Sequence, residues 1–165
     1  MSRLLGIDLG ERRIGLAIAD DDGSAAHPYA TLRRGRDIAA DAAAIGAVVA
    51  SLGVDELVVG LPLEASGADG PQATLTRTWA SEIEALVGLP VGFRDERLTS
   101  HLAETRLGPM KRGRSGGPPT KTQRDAYRAR VDREAAAIIL QDELDTRAGR
   151  RPSTTRTPDP QETSR

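Results

Sequence analysis

Asp8 is the first residue in this sequence whose surroundings suggest chemistry. It lies in the segment LLGIDLGERRIGLAIAD (residues 4–20), between Gly6 and Gly10. A strand alternates its side chains, so these three residues share a face, and the glycines leave room beside the carboxylate. An aspartate is rarely buried unless it is paired, hydrogen-bonded or bound to a metal. The simpler alternative is that Asp8 caps the turn that follows by accepting backbone hydrogen bonds.

Three more carboxylates stand where they can join Asp8. Asp95 and Glu96 end the last predicted strand, and Asp132 borders the apolar stripe of the last predicted helix. The functional crevice of an open α/β sheet lies at the strand ends. Carboxylates brought together repel unless a cation neutralises them, and oxygen ligands without His or Cys favour Mg²⁺ or Mn²⁺ over zinc. Two such ions about 4 Å apart can activate a water against a phosphodiester.

Each of these carboxylates also has a purely structural explanation. Glu96 can interact with the dipole of the helix that follows it, and Asp132 can form a surface ion pair with Arg128 or Arg133. Alternation along the strand puts Asp95 and Glu96 on opposite faces, and the residues alone do not say which face carries a site.

Charge is concentrated in one part of the chain. The net charge is −1, yet the segment from Arg106 to Arg133 holds nine basic and two acidic residues. A local positive patch on a nearly neutral protein suggests a phosphate backbone as partner, although a solvated helix face beside a basic loop is the alternative.

The composition bounds the class of protein. A chain of 165 residues is long enough for one domain with a core of its own. It has no cysteine, which excludes disulfides and thiolate sites. Neither a membrane span nor a signal peptide is recognisable, so we expect a cytoplasmic protein without membrane contacts. The polar, Pro/Thr-rich residues 148–165 are typical of a disordered tail behind a domain of residues 1–147.

Hydrophobic periodicity predicts the element order β-β-β-α-β-α-β-α-α. Three strands in a meander followed by β-α repeats favour a mixed sheet with helices on its faces. After two strands in residues 4–20, the predicted elements are a strand at Tyr29–Arg33, a helix at 36–52, a strand at Glu56–Gly60, a helix from Pro71 to Gly88, a strand at Val91–Glu96, a helix from Thr99 to Leu107, and a helix from Thr122 to Leu144. Ala25–Pro28 is predicted as loop, and the apolar stripe of the Pro71 helix as Leu75, Trp79, Ile83 and Leu86.

Four motifs resemble, in order and spacing, those of the YqgF/RuvX family. They are GIDLGERRIGLAIAD, VVGLPLEASGADGPQA, LPVGFRDERLTS and VDREAAAIILQDEL. The family consists of RuvC-like bacterial proteins, described as Holliday junction resolvases and as nucleases that mature pre-16S rRNA. The resemblance implies a ribonuclease H-like fold with a mixed five-stranded sheet and helices on both faces.

The resemblance also implies roles for individual residues. The family's catalytic metal ligands correspond to Asp8, Glu96 and Asp132. These residues are expected to bind two ions of Mg²⁺ or Mn²⁺. Arg97 and Thr99 are expected to contact phosphate. Further backbone contacts are expected from Lys111, Arg112, Arg114, Lys121, Arg124 and Arg128, although relatives often carry a denser basic run before the helical aspartate than this chain does.

The resulting hypothesis is a metal-dependent endonuclease that processes pre-16S rRNA in ribosome biogenesis, as a monomer or a homodimer. Cleavage of branched DNA as a Holliday junction resolvase is the alternative, and would need a two-fold dimer. Two other classes remain open. One is a non-catalytic nucleic-acid-binding module, and the other is a phosphate-binding ATPase, since DLGERRIG also resembles the first phosphate loop of sugar kinases and actin.

Overall fold

The computed structural model describes residues 2–97, 99–113 and 116–150, the last of them by its backbone. The order of strands and helices is the predicted one. The elements are β1 (Arg3–Leu9), β2 (Arg13–Asp20), β3 (His27–Arg33), α1 (Ile38–Leu52), β4 (Glu56–Leu61), α2 (Pro71–Val87), β5 (Val91–Asp95), α3 (Thr99–Leu107) and α4 (Lys121–Arg150).

The strands form one mixed sheet in the order β3-β2-β1-β4-β5. The first three strands along the chain pair antiparallel as a meander, and β4 and β5 add parallel to β1. The predicted sheet is therefore confirmed, and β1, which carries Asp8, is its central strand.

Helices cover both faces of the sheet. On one face α1 and α2 pack on large side chains such as Leu5, Ile14 and Val59. On the other face α4 packs on Leu4, Ala17 and Val58. This division follows the side-chain alternation of the strands, because the small residues of β1 and β2 all face α4.

Two glycines allow α4 to lie directly on the sheet. A Cβ on Gly6 would stand 2.8 Å from the backbone oxygen of Ala136, and a Cβ on Gly15 would overlap the backbone oxygen of Asp132. Only the absence of a side chain permits such an approach of two backbones. Gly15 thereby fixes where Asp132 lies along the sheet.

Helix ends follow local capping chemistry. The side chain of Asp37 accepts a hydrogen bond from the Ala40 N–H at the start of α1, and Gly53 ends the helix with φ 67°. Gly88 ends α2 in the same way, with φ 80°. The predicted ends at Gly53 and Gly88 are confirmed.

Three sequence-based expectations were wrong. The strand β3 begins at His27 instead of Tyr29, because His27 and Pro28 pair with β2 on an edge that tolerates proline. Leu75 and Leu86 are 62% and 59% exposed, so they are not part of the buried stripe of α2. That stripe consists of Ala73, Thr76, Trp79, Ala80 and Ile83.

The helix α4 is also longer than predicted. It continues past Leu144 to Arg150. Arg147 forms ion pairs with Glu56 of β4 and with Glu143 one turn earlier, which hold the last turns against the sheet. Within the described ranges, no helix combines the length and the apolar character needed to cross a membrane.

Candidate active site

Asp8 lies between two glycines of the neighbouring strands, and each glycine makes room for another acidic residue. On one side Asp8 pairs with Gly15 of β2, on which the backbone of Asp132 rests. On the other side is Gly60 of β4, which follows the residue paired with Ile7. A Cβ on Gly60 would stand 2.6 Å from Oε2 of Glu96. The three predicted carboxylates therefore gather on the α4 face of the sheet.

The carboxyl groups of Asp8 and Glu96 are hydrogen-bonded to each other. Burial, followed by the negative charge of Asp8, raises the pKa of Glu96 to about 10. Burial also raises the pKa of Asp8; the hydrogen bond from Glu96 works against this rise, and the charge of Asp132 adds to it. At neutral pH the pair thus retains a proton, because two anions cannot share this partly buried space.

Asp132 is held by a residue that the sequence did not single out. Its Oδ2 accepts a hydrogen bond from Nε of Arg13 at 2.6 Å, and both side chains are largely shielded from solvent. The alternative ion pairs of Asp132 with Arg128 or Arg133 are not found among the described residues. Its partner instead comes from β2, across the helix–sheet contact.

Asp95 and Glu96 point in different directions, as strand alternation predicts. Asp95 is exposed and pairs with Arg97, whose Nε lies 2.7 Å from Oδ2. That arginine lowers the pKa of Asp95. Glu96, and not Asp95, is therefore the neighbour that contacts Asp8.

Asp8 does not need to cap the turn after β1. That turn is closed by the Gly10 N–H, which donates to the backbone oxygen of Arg13 at 2.8 Å. In the part of the chain that the structure describes, no backbone N–H donates to the Asp8 carboxylate. The structural explanation for its presence is thereby weakened.

The residues expected to contact phosphate differ in their surroundings. Arg97 is exposed and joins Asp95 to the 64–70 loop by donating to the Ala65 carbonyl. Thr99 is only 5% exposed, at the start of α3. Its contact with phosphate stays a prediction.

The other basic candidates that the structure describes are exposed. Lys121 and Arg128 line the cavities beside Asp132. Arg112 donates to the Gly116 carbonyl of its own loop, and Arg124, in the first turn of α4, donates to the Pro119 carbonyl before the helix. Lys111 is exposed as well. Arg114 lies outside the described residues.

In this arrangement the three carboxylates do not form a metal site. Among the residues that the structure describes, no group of three or more His, Cys, Asp or Glu side chains is arranged to hold an ion. The contact with Arg13 gives a physical reason, because it directs the Asp132 carboxylate towards β2. Asp8 and Glu96 offer the oxygen donors that Mg²⁺ and Mn²⁺ prefer.

Comparison with known proteins identifies the family. The model of the family described as "RuvX: Holliday junction resolvase" matches residues 2–146, which include all four motifs. The chain belongs to the RuvX family.

Similar proteins carry a consistent name. A protein of Anaeromyxobacter dehalogenans (strain 2CP-C) is 47% identical over 146 residues, which cover 88% of this chain and 98% of the relative. One from Moorella thermoacetica is 42% identical over 143 residues, which cover 87% and 94%. Both are named "Putative pre-16S rRNA nuclease". The expected kinship with nucleases is confirmed.

The fold has a counterpart among solved structures. RuvC of Thermus thermophilus, in complex with a Holliday junction substrate, superimposes with a TM-score of 0.51 over 90% of this chain and 97% of RuvC. At 14% sequence identity, this likeness concerns the fold alone. It confirms the ribonuclease H-like architecture.

Four arginines near the start of α4 were not among the residues predicted to contact nucleic acid. Arg12 lies in the β1–β2 turn and Arg13 begins β2, whereas Arg33 ends β3 and Arg34 follows it. Together they line a cavity of about 650 Å³ that also contacts α4. The runs ERR (residues 11–13) and RRGR (residues 33–36) are visible in the sequence, but a charge count restricted to residues 106–133 passes over them.

Proposed function

We propose that this protein is an endonuclease that requires Mg²⁺ or Mn²⁺ and cleaves a phosphodiester bond in a ribosomal RNA precursor. The observation that carries the proposal is the contact between the carboxyl groups of Asp8 and Glu96 at the end of the central strand, with Asp132 near enough for its charge to raise the pKa of Asp8. The names of the relatives support the reaction class and the RNA substrate.

Asp8 and Glu96 would hold the metal, and Asp132 would complete the site. Burial and repulsion by a neighbouring carboxylate raise the pKa of both carboxyl groups, and a divalent cation held by Asp8 and Glu96 would take the place of the proton they share. To bind a cation, the Asp132 carboxylate would have to release its ion pair with Arg13. When bound, two such ions supply an activated water and stabilise the leaving oxygen.

The chain's own residues have further tasks in this mechanism. Gly15 and Gly60 have no side chain, and this leaves the space in which Asp132 and Glu96 approach β1. Arg97 pairs with Asp95 on the face of β5 that points away from Asp8. The exposed Lys121 and Arg128 would hold the substrate beside Asp132.

The first test is cleavage by the wild-type protein and by Asp8→Asn, in Mn²⁺, Mg²⁺ or EDTA. A pre-16S rRNA fragment and a four-way DNA junction are offered to both proteins. Cleavage that needs the metal and disappears in Asp8→Asn is the expected result. Asp95→Asn, which changes an acidic neighbour outside the site, should retain activity and serves as the matched control.

The substrate that is cut decides between the two biological roles. Preference for the RNA supports the processing of pre-16S rRNA. Preference for the junction supports the role in the family's description, and would require two sites related by a two-fold axis. If both nucleic acids bind and neither is cut with any metal, the catalytic proposal is wrong and the protein is a binding module.

A further inference from the structure

We propose that a groove beside Asp132 binds the phosphate backbone of a nucleic-acid strand, with Arg12 and Arg33 as its principal contacts. We call it the arginine groove: it lies between the β1–β2 turn, the end of β3 and the first half of α4. The inference deepens the proposed function, because it names the surface that would hold the substrate of that site.

The arginine groove consists of two adjoining cavities, of about 650 and 430 Å³. Glu11, Arg12 and Arg13 line both cavities, and the smaller one reaches Asp132 and Arg128. A ligand that fills the groove therefore passes from Arg33 to the candidate active site. This continuity suits an extended polymer better than a small anion.

Positive charge dominates the lining, with six basic and three acidic side chains. Some of these basic side chains already form ion pairs within the protein. Arg13 pairs with Asp132, and Arg34 pairs with the buried Asp41 at 2.8 Å. Lys121 lies 3.3 Å from Asp125. These pairs account for three of the cations.

Arg12, Arg33 and Arg128 remain without such a partner. All three are exposed, and within the described ranges none of their guanidinium groups forms a hydrogen bond or an ion pair. Arg33 also stands directly opposite Arg13 in the β2–β3 ladder. Arg13 is neutralised by Asp132, so the charge of Arg33 at this position is the one left for an anion to bind.

The chemistry of the lining favours phosphate. A guanidinium is always charged and offers a planar fork of N–H donors that matches phosphate oxygens. Two unpaired guanidinium groups, with Arg128 further along, provide successive contacts for successive phosphates of one strand. RNA and DNA share this chemistry, so the experiment must distinguish them.

The test is a binding measurement without metal, so that no cleavage intervenes. Fluorescently labelled single-stranded RNA and DNA of the same sequence are titrated in EDTA at several KCl concentrations. The variants are the double substitution Arg12→Gln/Arg33→Gln and, as a control, Arg130→Gln. Arg130 is exposed on the same helix as Arg128 but two positions away, on the opposite side of α4.

We expect the double variant to bind at least tenfold more weakly at about 0.1 M salt, and its slope of log affinity against log salt to fall by about 1.5. Arg130→Gln should behave as the wild type. Equal affinities and equal slopes for all three proteins would overturn the inference, as would a wild-type protein that binds neither strand. A stronger effect on RNA or on DNA identifies the natural strand.

The inference and the proposed function can fail separately. If the double variant binds normally while the wild type cuts with metal, the nuclease stands and the arginine groove is not its binding surface. If the groove variants lose binding but no metal supports cleavage, the groove stands and the catalytic proposal is wrong. Circular dichroism of each variant checks that the fold is retained.

Discussion

At the level of single residues, the pair formed by Asp8 and Glu96 is the most informative feature of the molecule. Two carboxyl groups that share a hydrogen bond in a partly buried place need either a proton or a cation between them. A protein gains no stability from such a pair in the metal-free state. Its presence on the central strand is therefore best explained by what the two groups bind.

The pair makes the metal-free protein less stable as the pH rises. Because the pKa of Glu96 is raised to about 10, the folded state holds more protons than the unfolded chain at pH values above the ordinary pKa of the group. The free energy of unfolding should therefore decrease between about pH 6 and pH 9, relative to that of Glu96→Gln, by up to about 1.4 kcal/mol per pH unit. Urea unfolding in EDTA measures the difference.

An equal pH dependence of the wild type and Glu96→Gln would contradict the assignment of a shared proton. In that case Glu96 would be ionised in the fold, and the substitution would change stability by the same amount at each pH. Asp95→Asn provides the control, because Arg97 lowers the pKa of Asp95 and that group is already ionised at neutral pH.

Arg13 competes with a cation for Asp132. Its Nε lies 2.6 Å from the carboxylate, and its charge opposes the approach of a second positive charge. Arg13→Gln should thus bind Mn²⁺ more tightly without nucleic acid, by about tenfold, which corresponds to about 1.4 kcal/mol. Isothermal titration calorimetry compares it with the wild type and with Arg130→Gln. Weaker Mn²⁺ binding by Arg13→Gln would mean that Arg13 positions Asp132 for the metal.

At the level of the elements, the site depends on how closely α4 approaches the sheet. Gly15→Ala should lower the free energy of unfolding by about 3 kcal/mol or more, because the new methyl group would overlap the backbone oxygen of Asp132. Neither β2 nor α4 can move without disturbing its other contacts. Urea denaturation measures the loss.

Gly46→Ala is the matched control for that substitution. Gly46 lies inside α1, and a Cβ there would meet nothing within 4 Å. The same chemical change should stabilise this helix by about 0.5–1 kcal/mol. If both substitutions had the same effect, the close contact between Gly15 and α4 would not exist in solution.

The sequence predicted the strands well because alternation is a local property. The small residues of β1 and β2 marked the face on which α4 lies, and their large residues marked the other face. The buried stripe of α2 was predicted less well. Thr76 is buried and Leu75 is exposed, since the helix turns towards α1, where the indole N–H of Trp79 donates to Asp41. That partner is 38 residues away and invisible to periodicity.

The carboxylates were predictable, but their surroundings were not. Motif resemblance indicated Asp8, Glu96 and Asp132, whereas the ion pair between Arg13 and Asp132 joins residues 119 positions apart. Only the three-dimensional arrangement brings the arginines of residues 11–13 and 33–36 to the N-terminal half of α4. A charge count along the chain cannot detect such a surface, because its members lie in separate segments.

At the level of the whole molecule, the two faces of the sheet have separate tasks. The face covered by α1 and α2 carries most of the large apolar core, which includes Ile7, Ile45 and Ile83. The face covered by α4 is built from small residues and carries the carboxylates and the arginine groove. Stability and chemistry are thus placed on opposite sides of β1, and a change in the site need not disturb the larger core.

Because the site connects β1, the end of β5 and α4, an ion bound there should stabilise the entire domain. A ligand that binds only the folded state at one hundred times its dissociation constant adds about 2.7 kcal/mol to the free energy of unfolding. For a domain of this size, that corresponds to an increase in Tm of roughly 5–10 °C.

Mn²⁺ should thus raise the Tm of the wild type and of Asp95→Asn, as measured by differential scanning calorimetry. Asp8→Asn, which no longer confines two anions, should be at least as stable in EDTA and should not respond to Mn²⁺. A response lost in Asp95→Asn and retained in Asp8→Asn would move the metal site to the exposed side of β5, away from Glu96 and the central strand.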